Sequence, residues 1–281
     1  MAKRIYRFRD GKELTIGGRT LVMGILNVTP DSFSDGGKWN TRDMALRHME
    51  EMVRDGADII DIGAESSRPG FVPMSAAEET ERLLPFLEIV LAECPVPVSV
   101  DTFKAETARA ALRTGAHILN DIWGLQYAEE PGEMARVAAD ADAPVIVMHN
   151  QHGTVYDADI IDEMRAFFAR SFAATDAAGL SRDKIILDPG IGFGKTAEQN
   201  MHVLRRMDEL VSYGGVDYPV LLGASRKSFI GAALGFPVEE RMEATGAACV
   251  MGIERGASIV RVHDVKPIAR MCRMTDAILG A

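Results

Sequence analysis

Cysteine is scarce in this sequence, positive charge is in deficit, and no apolar run is long enough to cross a bilayer. Cys94, Cys249 and Cys272 are an odd set without CxxC spacing. That argues against a disulfide framework or a zinc knuckle and leaves three reduced packing residues. The opening MAKRIYRFRD carries basic residues with no apolar segment behind them, so no secretory signal is expected. The expectation is a cytoplasmic protein with no membrane contact. Lys and Arg number 31 against 41 Asp and Glu, a net charge of −10. Nonspecific nucleic-acid binding needs a basic footprint that displaces counterions, so nucleic acid is not expected as a partner. A small anion held by a local group of Lys and Arg remains compatible with that charge. The dinucleotide turn GxGxxG is also missing: the first strand leads into GILNVTPDSFSDGG.

What is present is alternation. Eight short runs rich in Val, Ile and Leu occur at residues 21–26, 57–63, 96–101, 117–121, 144–149, 184–188, 218–223 and 258–263. Between them lie amphipathic stretches such as TRDMALRHMEEMVRDG, with apolar residues at threes and fours. In SAAEETERLLPFLEIVLAE, Ser75 and Glu78 have capping-box spacing, and Pro85 removes a backbone donor and predicts a kink. Short strands that are apolar throughout, joined by helices, imply a parallel sheet covered on its faces. Eight such units in 281 residues predict an α/β single-domain (β/α)8 TIM barrel. The barrel would span residues 20–281, preceded by an N-terminal extension over 1–19 with a possible hairpin at Asp10-Gly11.

In such a barrel the C-terminal ends of the strands share one mouth. Here those ends carry Asn27, Asp61, Asp101, Asn120 with Asp121, His149, Asp188, Ser225-Arg226-Lys227, and Arg261 with His263. One aspartate after a strand is usually a turn former or a cap. Polar groups at all eight ends exceed what independent capping explains, so the expectation is that every end serves one rim. Asp101, Asn120 and Asp188 together could read the donor and acceptor edge of a flat heterocycle such as an aminopyrimidinone. Arg68, Lys227, Arg261 and His263 offer charge-assisted donors for phosphate or carboxylate oxygens.

Two motifs mislead. DPGIGFGKT resembles a phosphate loop, but GxxxxGK[ST] needs glycine where Pro189 stands. His149, His152 and His263 invite a zinc reading, yet no carboxylate or cysteine ligand sits at a recognisable spacing.

The segments MGILNVTPDSFSDGG, DIGAESSRPG, SVDTF, LNDI, ILDPGIGFGK, GASRKSFIG and VRVHDV resemble, in order, the dihydropteroate synthase family of pterin-binding enzymes. The resemblance runs from about residue 20 to 270. It implies a Mg2+-dependent transferase of folate biosynthesis that joins 6-hydroxymethyl-7,8-dihydropterin diphosphate to p-aminobenzoate, releasing pyrophosphate. By that resemblance the pterin would meet Asp61, Asp101, Asn120, Asp188 and Lys227. The diphosphate would meet Asn27, Arg68, Arg261 and His263, with Asn27 also holding the metal. The p-aminobenzoate pocket would comprise Phe33, Ser67, Pro69, Phe193 and Ser228 beside Lys227. The catalytic set would be Asp35, Arg68, Lys227, Arg261 and His263. The family also implies a homodimer formed through helices at the far side of the barrel.

Breaking the pterin C–O bond puts negative charge on pyrophosphate and positive charge on the methylene carbon, which suits a dissociative substitution. An aromatic amine needs little general-base help, and no Ser-His or Cys-His pair is evident. Ser67 stands where the family often has Thr, and Ala64 where a second Gly is common. MHNQHG also departs from the usual pattern after its first His. These changes bear on loop shape and on affinity for p-aminobenzoate or sulfonamide mimics. Two other readings share the barrel. A pterin-binding methyltransferase using a methylated reduced folate would need the ring readers but no diphosphate clamp, and a noncatalytic ligand-binding barrel would have lost that clamp. SRKSF and RVHD favour the synthase.

Overall fold

The computed structural model describes residues 3–29, 41–65 and 74–280. Strands β1 (Arg4–Arg7) and β2 (Glu13–Ile16) pair antiparallel with Arg7 opposite Glu13. Gly11 supplies a φ of 87° in the turn between them, where a side chain would strain. The chain then alternates: β3 (Leu21–Asn27), α1 (Thr41–Asp55), β4 (Ile59–Gly63), α2 (Ala76–Glu93), β5 (Val98–Asp101), α3 (Ala105–Thr114), β6 (Ile118–Asp121) and α4 (Glu133–Ala141). It continues through β7 (Val145–Met148), α5 (Ile160–Ala178), β8 (Ile185–Asp188), α6 (Ala197–Arg205) and a small antiparallel pair, β9 (Ser212–Tyr213) with β10 (Val216–Asp217). The last elements are β11 (Leu221–Leu222), α7 (Ser228–Leu234), α8 (Met242–Glu254), β12 (Ile259–Val262) and α9 (Val265–Leu279).

Eight of these strands form one parallel sheet in the order β11-β12-β3-β4-β5-β6-β7-β8. Its two edges meet through a parallel bridge between Leu187 and Val220, where the Leu187 N–H donates to the Pro219 carbonyl at 2.9 Å. The result is the (β/α)8 barrel that the alternation predicts. Ser75 caps α2 in a full capping box with Glu78, each side chain satisfying a backbone N–H that the first turn leaves unpaired. The same helix runs on through Pro85 to Glu93, because the packing of Leu83, Leu87 and Val90 outweighs one missing backbone bond.

Side chains alternate across each strand, and the alternation sorts the core. Val22, Leu26, Ile60, Ile62, Val98, Val100, Val260 and Val262 face the helices on one side of the barrel, and Leu119, Val145, Val147, Ile185 and Leu187 do so on the other. The opposite parity gives an inner layer of Met23, Ile59, Ile118, Ile146, Ile186, Leu221 and Ile259, closed from below by Tyr6, Leu14 and Ile16 of the hairpin. Each of these large apolar side chains contributes about 1.5–3 kcal/mol by leaving water. Arg4 and the Tyr6 hydroxyl tie the hairpin to the barrel through carbonyls of Asp183, Ile185 and Asp217. The hairpin thus plugs the N-terminal end of the barrel interior.

Candidate active site

Moving two residues along each strand from the inner aliphatic layer changes its character. Ile59 gives way to Asp61, Ile118 to Asn120, Ile186 to Asp188, Leu221 to Gly223 and Ile259 to Arg261. On β5, Ser99 gives way to Asp101. Because these positions share the inward parity, five strands (β4, β5, β6, β8 and β12) turn a polar side chain toward the mouth, and β11 contributes Gly223.

Arg261 is the hub. Its Nε donates to Asp61 at 2.6 Å and its Nη2 to Asp101 at 2.7 Å, while Asn120 Nδ2 donates to Asp61 at 3.1 Å. Asp61 is fully buried, and its second oxygen, Oδ1, has no hydrogen-bond partner. Burial, with repulsion from Asp61, pushes the Asp101 carboxyl up to about 7, against the pull of Arg261. Burial also works against charge on Arg261, yet Asp61 and Asp101 hold its proton more firmly than usual.

Asp188 accepts the Gly190 N–H at 2.7 Å, and burial raises its pKa. Opposite it, Lys227 Nζ donates to the Ile191 carbonyl at 2.7 Å and lies 4.0 Å from the centroid of the Phe193 ring. Burial lowers Lys227 to about 8, with Asp188 opposing the shift. Arg226 aims this lysine inward: its backbone turns at a φ of 55°, and its guanidinium is held outside by both oxygens of Asp264. The cavity lined by Asp101, Asn120, Met148, Asp188, Lys227 and Arg261 has an open volume of about 20 Å³. That is room for a water and not for a ring. The Arg261 guanidinium that bridges Asp61 and Asp101 lines this cavity.

At that rim, the Ser225 hydroxyl accepts the His263 backbone N–H at 3.2 Å and sits 2.9 Å from His263 Nδ1. The hydroxyl has one proton and two acceptor sites, so the Nδ1 contact fits either ring tautomer. Asn27 ends β3 on the inward parity, half-buried and opposite Gly63 in the register. Ser228 begins α7 and is exposed. Phe33, Asp35, Ser67, Arg68 and Pro69 lie outside the described residues.

Not every strand end serves the mouth. Asp121 and His149 have the outward parity and face the helices. Asp121 accepts the Trp123 and Leu125 N–H groups at 2.8 and 2.6 Å, a turn-forming role. His149 packs against Phe167 and Phe168 of α5 and bonds Lys195. His152 lies against Trp123, so the three histidines have separate surroundings. Among the described residues no three His, Cys, Asp or Glu side chains are grouped to hold a metal ion.

Sequence reasoning missed a buried cluster beside the mouth. Lys104 bridges Glu65 and Glu79, the latter at 2.9 Å, and Glu65 accepts the Met74 N–H at 2.8 Å. Glu65 thereby joins the described residues on either side of 66–73. No spacing signal distinguishes these charges from a solvated helix face. Ile122, Met148 and Gly223 also line the cavity; they share the inward parity, which apolar runs do not display in the sequence.

Comparison with known proteins identifies the family. Residues 23–263 match the model of a family described as pterin binding enzyme. The dihydropteroate synthase of Bacillus subtilis (strain 168) is 51% identical over 262 residues, covering 93% of this chain and 90% of the relative. A crystal structure of dihydropteroate synthase from Clostridium difficile, determined in the presence of pteroic acid, superposes with a TM-score of 0.89 at 49% identity, covering 94% of this chain and 98% of that one. The Xanthomonas albilineans enzyme in complex with 7,8-dihydropteroate gives 0.87 at 37% identity, covering 98% and 100%. The chain belongs to the pterin-binding enzyme family, as a dihydropteroate synthase.

Proposed function

We propose that this synthase binds its pterin substrate in the inner polar layer and its diphosphate at the rim. The observation that carries this reading is the adjacency of an acceptor row (Asp61, Asp101, Asn120 and Asp188) to the cations Lys227 and Arg261 around one cavity. A pterin ring presents N–H donors beside ring acceptors. Asp188 and Asp101 suit the former and the Asn120 amide suits either. The orphan Oδ1 of Asp61 adds an acceptor whose desolvation a ring N–H would offset.

On this reading Arg261 would leave Asp61 and Asp101, move toward His263 and join its ring N–H in holding phosphate oxygens. The C–O bond to the methylene carbon then breaks with its electron pair leaving on pyrophosphate. The amine nitrogen of p-aminobenzoate forms the new C–N bond and loses a proton. Arg261 and His263 stabilise the charge that grows on the leaving group. Phe193, Ser228 and the Lys227 ammonium would hold p-aminobenzoate, the cation facing its carboxylate. Sulfonamide mimics would compete there. Arg68 as a further diphosphate partner, Asp35 beside the methylene cation, and Phe33, Ser67 and Pro69 in the amine pocket complete the assignment.

Mg2+ suits the residues at hand. It takes only one or two protein oxygens and fills the rest of its octahedron with water and phosphate, and Asn27 offers one amide oxygen at the rim. Bound there with the diphosphate, the ion would neutralise charge on the leaving group.

Val250 and Met251 of α8 and Met274, Ile278 and Leu279 of α9 are exposed apolar side chains on the barrel's outer surface. They support a homodimer through these helices. No described helix is long and apolar enough to cross a membrane, and we place the enzyme in the cytoplasm. The reaction is tested by mixing the purified protein with dihydropterin diphosphate, p-aminobenzoate and Mg2+ and weighing the products. Dihydropteroate and pyrophosphate in equal amounts are expected. No dihydropteroate, with methyl transfer to a corrinoid protein in a parallel incubation with a methylated folate, would reverse the assignment.

A further inference from the structure

The lysine of the failed phosphate loop and the histidine of the failed zinc site meet each other. Residues 189–196 connect β8 to α6, and the loop folds around its own Lys195. The Lys195 ammonium donates to the Gly190 carbonyl at 3.1 Å and the Phe193 carbonyl at 3.1 Å, with His149 Nδ1 at 2.9 Å as its third partner. Lys195 is buried, and these bonds go to two carbonyls and a ring nitrogen. Three acceptors match the three N–H donors of an ammonium, whereas a neutral amine has two. His149 is buried against Phe167 and Phe168, and burial followed by the nearby Lys195 charge lowers it to about 2, so its ring stays neutral and Nδ1 can accept. Burial draws Lys195 down to about 7; Asp188 opposes that shift and Lys227 adds to it.

The loop's remaining bonds fix the same shape. Gly192 N–H donates to Asn200 Oδ1 at 2.7 Å, and the Tyr156 hydroxyl donates to the Gly194 carbonyl at 2.9 Å. Gly190 has a φ of 65°, and a Cβ there would lie 1.9 Å from the His149 carbonyl oxygen, so the loop is pressed onto the end of β7. Two groups that would face substrate on the proposed function hang on this loop. They are the Ile191 carbonyl, which receives Lys227, and the Phe193 ring beneath the same ammonium.

We infer that Lys195, seated on His149, is a positioning residue that sets the amine-substrate pocket by holding Ile191 and Phe193 in place from behind. It acts through the loop and touches neither substrate. The inference rests on the proposed placement of p-aminobenzoate against Phe193 and Lys227.

Steady-state kinetics of Lys195→Met, His149→Phe and Phe193→Ala, beside their melting curves, test it. Lys195→Met is expected to raise KM for p-aminobenzoate by about tenfold while kcat and KM for dihydropterin diphosphate stay within about threefold. His149→Phe keeps an aromatic ring on α5 and removes only the third acceptor, so the same KM should rise by about threefold. It decides the matter if Lys195→Met does not fold. Loss of kcat in proportion to folded protein, with KM for p-aminobenzoate unchanged in both variants, would overturn the inference. Phe193→Ala separates the two failures. If it raises that KM and the others do not, the positioning role is wrong. If it too leaves KM unchanged, the amine pocket itself has been misplaced.

Discussion

Asn120 and Asp121 are neighbours on β6, and they belong to different parts of the molecule. Asn120 looks inward and donates to Asp61 beneath the cavity, while Asp121 looks outward and closes a turn with the N–H groups of Trp123 and Leu125. The same division runs around the barrel. On the inner wall, Asp61, Asp101 and Arg261 are crowded, one carboxylate oxygen is orphaned, and Lys227 is drawn toward neutrality. On the outer wall, Asp121 has both oxygens bonded, and Arg226 is held by both oxygens of Asp264. Asp121, Arg226 and Asp264 are thus satisfied by their own chain. Asp61 keeps an acceptor that the chain does not fill, and on the proposed function that acceptor is met by substrate.

The sharpest way to break this comparison is Arg261→Ala. It strips the cation from two buried carboxylates and, on the proposed mechanism, the charge that meets the leaving group. A fall in kcat/KM of at least about a thousandfold is expected, and leaving the carboxylates unpaired should cost about 3–5 kcal/mol of stability. Turnover near the parent rate in single-turnover assays would end the diphosphate assignment. Asp101→Asn comes next. It exchanges an acceptor-only group for one that also donates, and pterin affinity by calorimetry should fall by about a hundredfold with the fold intact. Unchanged affinity would remove Asp101 from the ring-reading set.

The barrel was legible in the sequence because parallel strands covered on both faces must be apolar throughout and must alternate with helices. The location of the site followed, since strand ends share a mouth. What misled was treating every end as equivalent. A strand has two faces, and the choice between them depends on register, which the short apolar runs do not display because both faces are apolar. Asp121 and His149 therefore read as rim residues when they point to helices. Lys195 was dismissed for the better reason that a phosphate loop needs glycine at 189, and that reasoning stands. The loop encloses its own cation where a phosphate loop would enclose an anion, a purpose that no motif encodes. Lys104 and its two glutamates were invisible for a related reason, since pairing between charges 25 and 39 residues apart depends on tertiary packing.

A milder change tests the outer wall. Asp121→Asn keeps one acceptor and loses the other, so one backbone N–H is orphaned at a cost of about 1–3 kcal/mol. For a chain of this size that lowers Tm by about 2–5 °C. Turnover per folded molecule should stay within about twofold. A large kinetic effect with little change in melting would mean that the outer wall takes part in catalysis after all.

The pH dependence separates the two walls without removing any contact. Burial pushes both Asp101 and Asp121 up to about 7 from an ordinary value of 3.8. A carboxyl whose folded pKa lies above its unfolded value contributes stability below the unfolded value and loses it as pH rises through the folded one. Both residues should therefore make the fold less stable between about pH 4 and pH 7. Pterin binding should run the other way at Asp101 alone, because the ionised carboxylate accepts the ring N–H, so affinity should rise across the same window. Melting curves and calorimetric titrations at several pH values follow both slopes. Asp121→Asn and Asp101→Asn should each flatten part of the stability slope, and Asp101→Asn should also remove the rise in affinity. If the affinity slope survives Asp101→Asn, another inner-wall group titrates on binding, and Asp188, whose pKa burial also raises, is the next to replace.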